Sequence, residues 1–86
     1  MSQNKVDEIN IYPNPVTEIL NINVPLEFTD GELVLLNMFG QELQKKIISN
    51  KLTEINLSNF ESGSYFIFIK KEAVVKKYKI IKVVNY

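Results

Sequence analysis

The sequence contains no cysteine, no histidine, no tryptophan and no arginine. Without cysteine there are no disulfide bonds, and without cysteine or histidine the usual ligands of transition metals are missing. The common catalytic triads and dyads need one of these two residues, so they are excluded as well. Arginine is the usual residue for bidentate contacts with phosphates and base edges. The sequence therefore predicts no catalytic site, no metal site and no nucleic-acid partner.

Other absences narrow the choice further. The three glycines are scattered at Gly31, Gly40 and Gly63, so no glycine-rich phosphate loop or other cofactor site is predicted. Asp30 and Glu32 flank Gly31, but two acids fall short of the about six to eight oxygen ligands that calcium takes. No segment approaches the roughly 20 continuous apolar residues of a membrane span, and no signal peptide is visible. If the domain is exported, we expect it to be part of a longer protein with its signal elsewhere.

The zero net charge of the 86 residues hides an uneven distribution. Residues 1–42 carry seven acids against Lys5, and residues 43–86 carry nine lysines against three glutamates, so the two halves have net charges of −6 and +6. A basic half can face an anionic partner. Because arginine is absent, we favour charge complementarity within the fold, with solvated lysines on exposed strand faces.

Seven short segments have strand-like patterns, separated by turn residues at intervals of roughly 8–12 residues. In the clearest one, Leu20, Ile22 and Val24 alternate with polar residues, whereas the third segment is apolar on both faces, which favours a central strand. The pattern predicts an all-β fold, an immunoglobulin-like antiparallel β-sandwich of about seven short strands. Residues 1–8 are predicted to be a linker, and residues 9–86 the domain. The predicted strands are Ile9–Tyr12, Ile19–Val24, Leu33–Met38, Leu43–Ile48, Leu52–Leu57, Tyr65–Lys70 and Val74–Val84.

Two prolines mark a rigid corner between the first two strands. Pro13 and Pro15 each lack a backbone donor, and each favours an extended conformation for the residue before it, Tyr12 or Asn14. Farther along, residues 37–41 predict a hairpin tip in which Gly40 adopts a positive φ.

The tyrosines suggest a different function, because aromatic rings can stack on sugars. Tyr65 lies within an apolar strand and Tyr12 precedes a proline, so packing is their default role. Tyr78 and Tyr86 are eight residues apart, which is too far for one sugar ring. A carbohydrate-binding or cell-surface adhesion module remains the alternative hypothesis.

The last segment, residues 74–86, mixes β-branched residues with lysines and lacks simple alternation. It is either an edge strand that its lysines protect from aggregation, or a strand whose unpaired edge a partner, including a second copy, captures by strand addition. From the residues alone we favour the first interpretation.

Four motifs follow one another along the chain: Tyr12-Pro13-Asn14-Pro15; Asn37 with Gly40; Leu57-Ser58 with Gly63 and Tyr65; and Lys79-Ile80-Ile81-Lys82-Val83. In this order and spacing they resemble the type A C-terminal sorting domain of type IX secretion substrates of Bacteroidetes-type bacteria. The similarity covers about residues 9–83. Asn37 stands where the family usually has aspartate, and Phe60 where leucine is more usual.

The resemblance implies a secretion address and no enzyme or cofactor. A cargo fused on the N-terminal side would enter the periplasm, and the type IX outer-membrane translocon would then move it to the cell surface or the medium. A sortase-like cysteine peptidase commonly removes the domain afterwards. On this resemblance residues 79–83 are the predicted recognition segment, and the sandwich presents them.

Overall fold

A computed structural model describes residues 8–84 of the chain. They form seven strands and one short 3₁₀ turn, and every strand lies within two residues of its predicted bounds. The prediction of an all-β fold is therefore confirmed. The elements are β1 (Asn10–Tyr12), β2 (Ile19–Asn23), the 3₁₀ turn (Leu26–Phe28), β3 (Glu32–Asn37), β4 (Glu42–Ile47), β5 (Leu52–Asn56), β6 (Gly63–Lys71) and β7 (Val74–Lys82).

The strands form two antiparallel sheets, one with the order β1-β2-β5 and the other with the order β4-β3-β6-β7. Two such sheets packed over one core make the immunoglobulin-like sandwich that the turn spacing predicted. Strand β3 is central in its sheet, as its two apolar faces predicted, and β7 lies at an edge. The pairing of β3 with β4 is irregular between Leu35 and Leu36, and such bulges bend a strand and increase its twist.

The core lies between the sheets and consists of every second residue of the strands, because successive side chains of a strand point to opposite faces. Leu20 and Ile22 of β2 are fully buried, as are Ile67 and Ile69 of β6. Burying a large aliphatic side chain contributes about 1.5–3 kcal/mol, so this cluster is the main source of stability in a chain without disulfides. The other buried members are Val16, Val24, Phe28, Leu33, Leu35, Ile48, Ile55, Leu57, Tyr65 and Ile80.

The turn before β3 requires a glycine. The Gly31 N–H donates to the Phe28 carbonyl at 2.9 Å. A Cβ atom on Gly31 would lie 2.5 Å from the Lys70 carbonyl oxygen, and this backbone atom belongs to a paired strand and cannot swing away. Gly31 thus lets the chain pass close to β6.

Candidate functional site

The chain between β1 and β2 crosses to the other sheet and lies along the outer edge of β7. Val16 forms a parallel bridge with Lys82. Its N–H donates to the Ile81 carbonyl at 2.8 Å, and its carbonyl accepts the Val83 N–H at 2.9 Å. The proline corner therefore does more than aim β2, because it also pairs with the end of the last strand.

The side chain of Asn14 extends this pairing by one step. Its Oδ1 accepts the Ile81 N–H at 2.9 Å, and its Nδ2 donates to the Lys79 carbonyl at 3.1 Å. A carboxamide carries an acceptor and a donor side by side, so Asn14 replaces a peptide group of a neighbouring strand. The peptide bonds before Pro13 and Pro15 are both cis. We call residues 13–16 the edge clamp and residues 79–83 the terminal segment.

The terminal segment alternates between buried and outward side chains. Ile80 is 1% exposed and Lys82 is 3% exposed, whereas Lys79 and Val83 are exposed and Ile81 is half-buried. Of the five predicted recognition residues, the folded domain therefore presents Lys79, Ile81 and Val83 outwards.

The burial of Lys82 departs from the expectation of solvated lysines on exposed strand faces. Its ammonium donates to the Phe60 carbonyl at 3.1 Å. A lysine can bury its aliphatic stem if its charged end finds an acceptor, and the loop between β5 and β6 supplies one here. The expectation is wrong for this lysine because a pattern of residue types does not show where a carbonyl will lie.

The loop that holds Lys82 contains the third motif. The Phe60 N–H donates to the Leu57 carbonyl at 3.0 Å, which closes a turn directly after β5. The Tyr65 hydroxyl donates to the Glu61 carbonyl at 2.6 Å, and the rings of Phe60 and Tyr65 lie 5.8 Å apart. Burial raises the pKa of the Tyr65 hydroxyl, and the Glu61 charge raises that pKa further. Three of the four motifs thus meet at β7.

The other motif residues shape turns. Asn37 Oδ1 accepts the N–H groups of Phe39 at 2.9 Å and Gln41 at 3.0 Å. Gly40 has a φ of 83°, as predicted for the hairpin tip, and Gly63 has a φ of 146° at the start of β6. In the next loop, Ser58 donates through its N–H and hydroxyl to Asn56 at 2.9 and 2.6 Å. Asn37 is therefore suited to its turn, as predicted, because both bonds to Oδ1 need only an oxygen acceptor.

The hairpin tip lies beside the loop of the third motif. Residues of both segments line one groove of about 310 Å³, and Asn37, Phe39, Phe60 and Tyr65 are among them. The structure thus brings the first three motifs to the same end of the sandwich as the terminal segment, which is the fourth. Each motif can be recognised in the sequence separately, but no local pattern indicates that the motifs lie together in the fold.

A family model, described as the secretion system C-terminal sorting domain, matches residues 10–83. The chain belongs to this family. The resemblance in the motifs is thereby confirmed, and the protein is a sorting domain of type IX secretion, the route by which it is exported. No curated protein and no solved structure gives a significant match.

Sorting domains are in general non-catalytic. Within residues 8–84 no group of three or more acidic side chains is placed to hold a metal ion. The same residues include no helix long and apolar enough to cross a membrane.

The structure also bears on the carbohydrate alternative. Tyr65 is only 8% exposed and its hydroxyl is bonded, so its ring is not free to stack on a sugar. Tyr12 is exposed and Tyr78 is half-buried, while Tyr86 lies outside the described residues. Residues 1–7, most of the predicted linker, are also outside them, and the division into linker and domain stays a prediction.

Proposed function

We propose that the sorting domain is recognised through the outward side chains of the terminal segment, namely Lys79, Ile81 and Val83. The observation that carries this proposal is the edge clamp, which fixes the backbone of this segment with four hydrogen bonds to Asn14 and Val16. A strand held from its edge and anchored by buried Ile80 and Lys82 presents its outward side chains at fixed spacing.

The proposed partner is the type IX outer-membrane translocon, with a cargo joined on the N-terminal side of the domain. The domain itself catalyses nothing and serves as a rigid support for the recognised strand. After transport, a sortase-like cysteine peptidase cuts near residues 1–8 and separates cargo from domain.

The test is an export assay in a bacterium with a type IX system. A fluorescent reporter that is directed to the periplasm is fused to residues 1–86, and its fraction in the medium and on the cell surface is measured. Deleting the terminal segment would remove Ile80 and Lys82 from the structure, so a deletion cannot separate recognition from folding. We therefore replace only Lys79, Ile81 and Val83 by serine and verify folding by thermal unfolding of the purified domain.

Strand β4 offers a matched control at the opposite edge of the same sheet, because it also carries one lysine and two apolar residues at alternate positions with exposed side chains, namely Leu43, Lys45 and Ile47. We expect the β7 triple variant to stay in the periplasm and the β4 triple variant to be exported. If the unchanged fusion is not exported, the proposed function fails. If the folded β7 variant is exported normally, the choice of recognition residues is wrong.

A further inference from the structure

Strands β3 and β6 are apolar on both faces, although the other sheet covers only one of them. On the outer face, Leu36, Phe66 and Phe68 are half-buried, and Val34 is buried at 4% exposure. Strands that are apolar on both faces are typical of sheets covered on both sides. Within residues 8–84 nothing packs over this outer face as a further layer, since both sheets are already accounted for.

The outer face contains a groove of about 430 Å³. Its apolar walls include Leu36, Met38, Phe66 and Phe68, and the charged residues that line it are two lysines, Lys77 and Lys79. The Lys77 ammonium lies 5.5 Å from the centre of the Phe68 ring, in the geometry of a cation–π contact. The groove thus combines aromatic walls with positive charge along one side. Its volume falls within the range of about 300–1,000 Å³ that is usual for binding pockets.

We propose that this groove docks an acidic segment of a protein in the secretion machinery. An apolar side chain of that segment packs between Phe66 and Phe68, and neighbouring carboxylates pair with Lys77 and Lys79. The proposal rests on the proposed function, because Lys79 belongs to both the terminal segment and the groove. With the groove included, the recognised surface comprises the outer face of β3, β6 and β7 and not β7 alone.

The charge of the groove argues against a second copy as the occupant. A symmetric dimer through this face would place the Lys77 and Lys79 ammonium groups of both copies in one interface, and like charges brought together there oppose association. The shape of the face argues against a lipid surface. Phe66 and Phe68 are half-buried in the wall of a groove, whereas an aromatic side chain that enters a bilayer must protrude.

The test compares single charge reversals on neighbouring residues of β7 in the export assay. Lys77 lines the groove and is exposed, so Lys77→Glu leaves the core intact. Lys76 is exposed too, but its side chain points to the opposite face, so Lys76→Glu is the matched control. We expect Lys77→Glu to lower the exported fraction about tenfold, which corresponds to about 1.4 kcal/mol, and Lys76→Glu to leave it unchanged. Lys77→Gln should fall between them, because it removes the attraction without adding repulsion.

A second variant tests the apolar part of the groove. Phe68→Ser should lower export to a similar degree, and thermal unfolding of the purified variant shows whether it remains folded. If Phe68→Ser does not fold, the Lys77→Glu and Lys77→Gln variants test the proposal without it, because substitutions at an exposed position leave the fold intact.

The outcomes separate this inference from the proposed function. If the β7 triple variant is blocked while Lys77→Glu is exported normally, the groove proposal is overturned and recognition by the terminal segment stands. Sedimentation with vesicles of phosphatidylcholine and phosphatidylglycerol in equal parts tests the lipid alternative. Binding by the purified domain that is lost in Lys77→Glu would assign the groove to an anionic membrane and overturn the protein partner.

Discussion

The two halves of β7 differ in what lies along their outer edge. In the half that ends at Lys82, the edge clamp binds the outward N–H and carbonyl of Ile81. Backbone N–H and carbonyl groups of successive residues point to opposite sides of a strand, so in the half that begins at Val74 those of Val75 and Lys77 point outwards. Among residues 8–84 no partner is found for these groups. The side chains differ likewise, because Ile80 is buried whereas Val74 and Val75 are 45% and 46% exposed.

This difference shows that the terminal segment is paired on both of its edges and belongs to the folded sandwich. It also limits the residues at which strand addition can begin. A partner or a second copy that pairs with residues 79–83 must first displace the edge clamp, whereas residues 75–77 are open to pairing at once. The structure places β7 at a sheet edge, and this edge is closed over the part that the family resemblance singled out. Protection of the rest of the edge by its lysines stays a prediction.

Reversing one charge in each half of β7 should give the largest difference in stability between the two halves. Lys82→Glu places a carboxylate in a buried site against the Phe60 carbonyl, so we expect a loss of about 3–5 kcal/mol in the free energy of unfolding. Lys76→Glu replaces an exposed lysine on the same side of the strand and should change the free energy of unfolding by less than about 0.5 kcal/mol. Urea unfolding followed by circular dichroism measures both. Equal losses would mean that Lys82 is not buried in solution.

Removing apolar atoms from the same two halves gives the next largest difference. Ile80→Ala leaves a cavity in the core and should destabilise the domain by about 2–5 kcal/mol. Val75→Ala trims an exposed side chain, for which we expect a change of less than about 0.5 kcal/mol. The midpoint of urea unfolding, at unchanged slope, is the measurement. A large effect of Val75→Ala would show that the open half is packed against something in solution.

The secondary structure followed from the sequence because each strand carries its own local pattern. Leu20, Ile22 and Val24 alternate with polar residues, and this period of two is visible without knowledge of the partner strands. The two apolar faces of β3 predicted its central place for the same reason. The short 3₁₀ turn Leu26–Phe28 was not predicted, and the bounds of β6 and β7 were off by as much as two residues.

The candidate site could not be assembled from local patterns. Asn14 and Ile81 are 67 residues apart, and nothing in the proline corner shows which strand it will meet. Lysines are mostly exposed, so residue type alone predicted a solvated Lys82. Only the fold brings the Phe60 carbonyl to this ammonium, and only the fold shows that Ile80 and Lys82 face inwards while Lys79 and Ile81 face outwards.

Disrupting the edge clamp should cause a smaller loss of stability, with its effect confined to the terminal segment. Asn14→Ala removes two hydrogen bonds to the terminal segment, and we expect a loss of about 1–2 kcal/mol in stability. Amide hydrogen exchange should become faster at Ile81, whose N–H loses its acceptor, and stay unchanged at Val75 in the open half. Asn14→Asp is the control, since it keeps an oxygen for the Ile81 N–H. Unchanged exchange at Ile81 in Asn14→Ala would contradict the role of the clamp.

The smallest effect concerns two tyrosines near Ile80: Tyr65, which lies opposite it on β6, and Tyr78, which lies two residues before it on β7. Burial raises the pKa of Tyr78, and burial together with the Glu61 charge raises the pKa of Tyr65, from the usual value of 10.0. A raised pKa means that folding favours the protonated hydroxyl. This stabilisation is full below the unfolded-state pKa of about 10 and is lost as the pH rises through the folded-state pKa. Lysines titrate in the same range, so the test compares urea unfolding of the unchanged domain with Tyr65→Phe and Tyr78→Phe between about pH 8 and pH 11. We expect each phenylalanine variant to lose less stability with rising pH, and equal losses in all three proteins would contradict the raised pKa values.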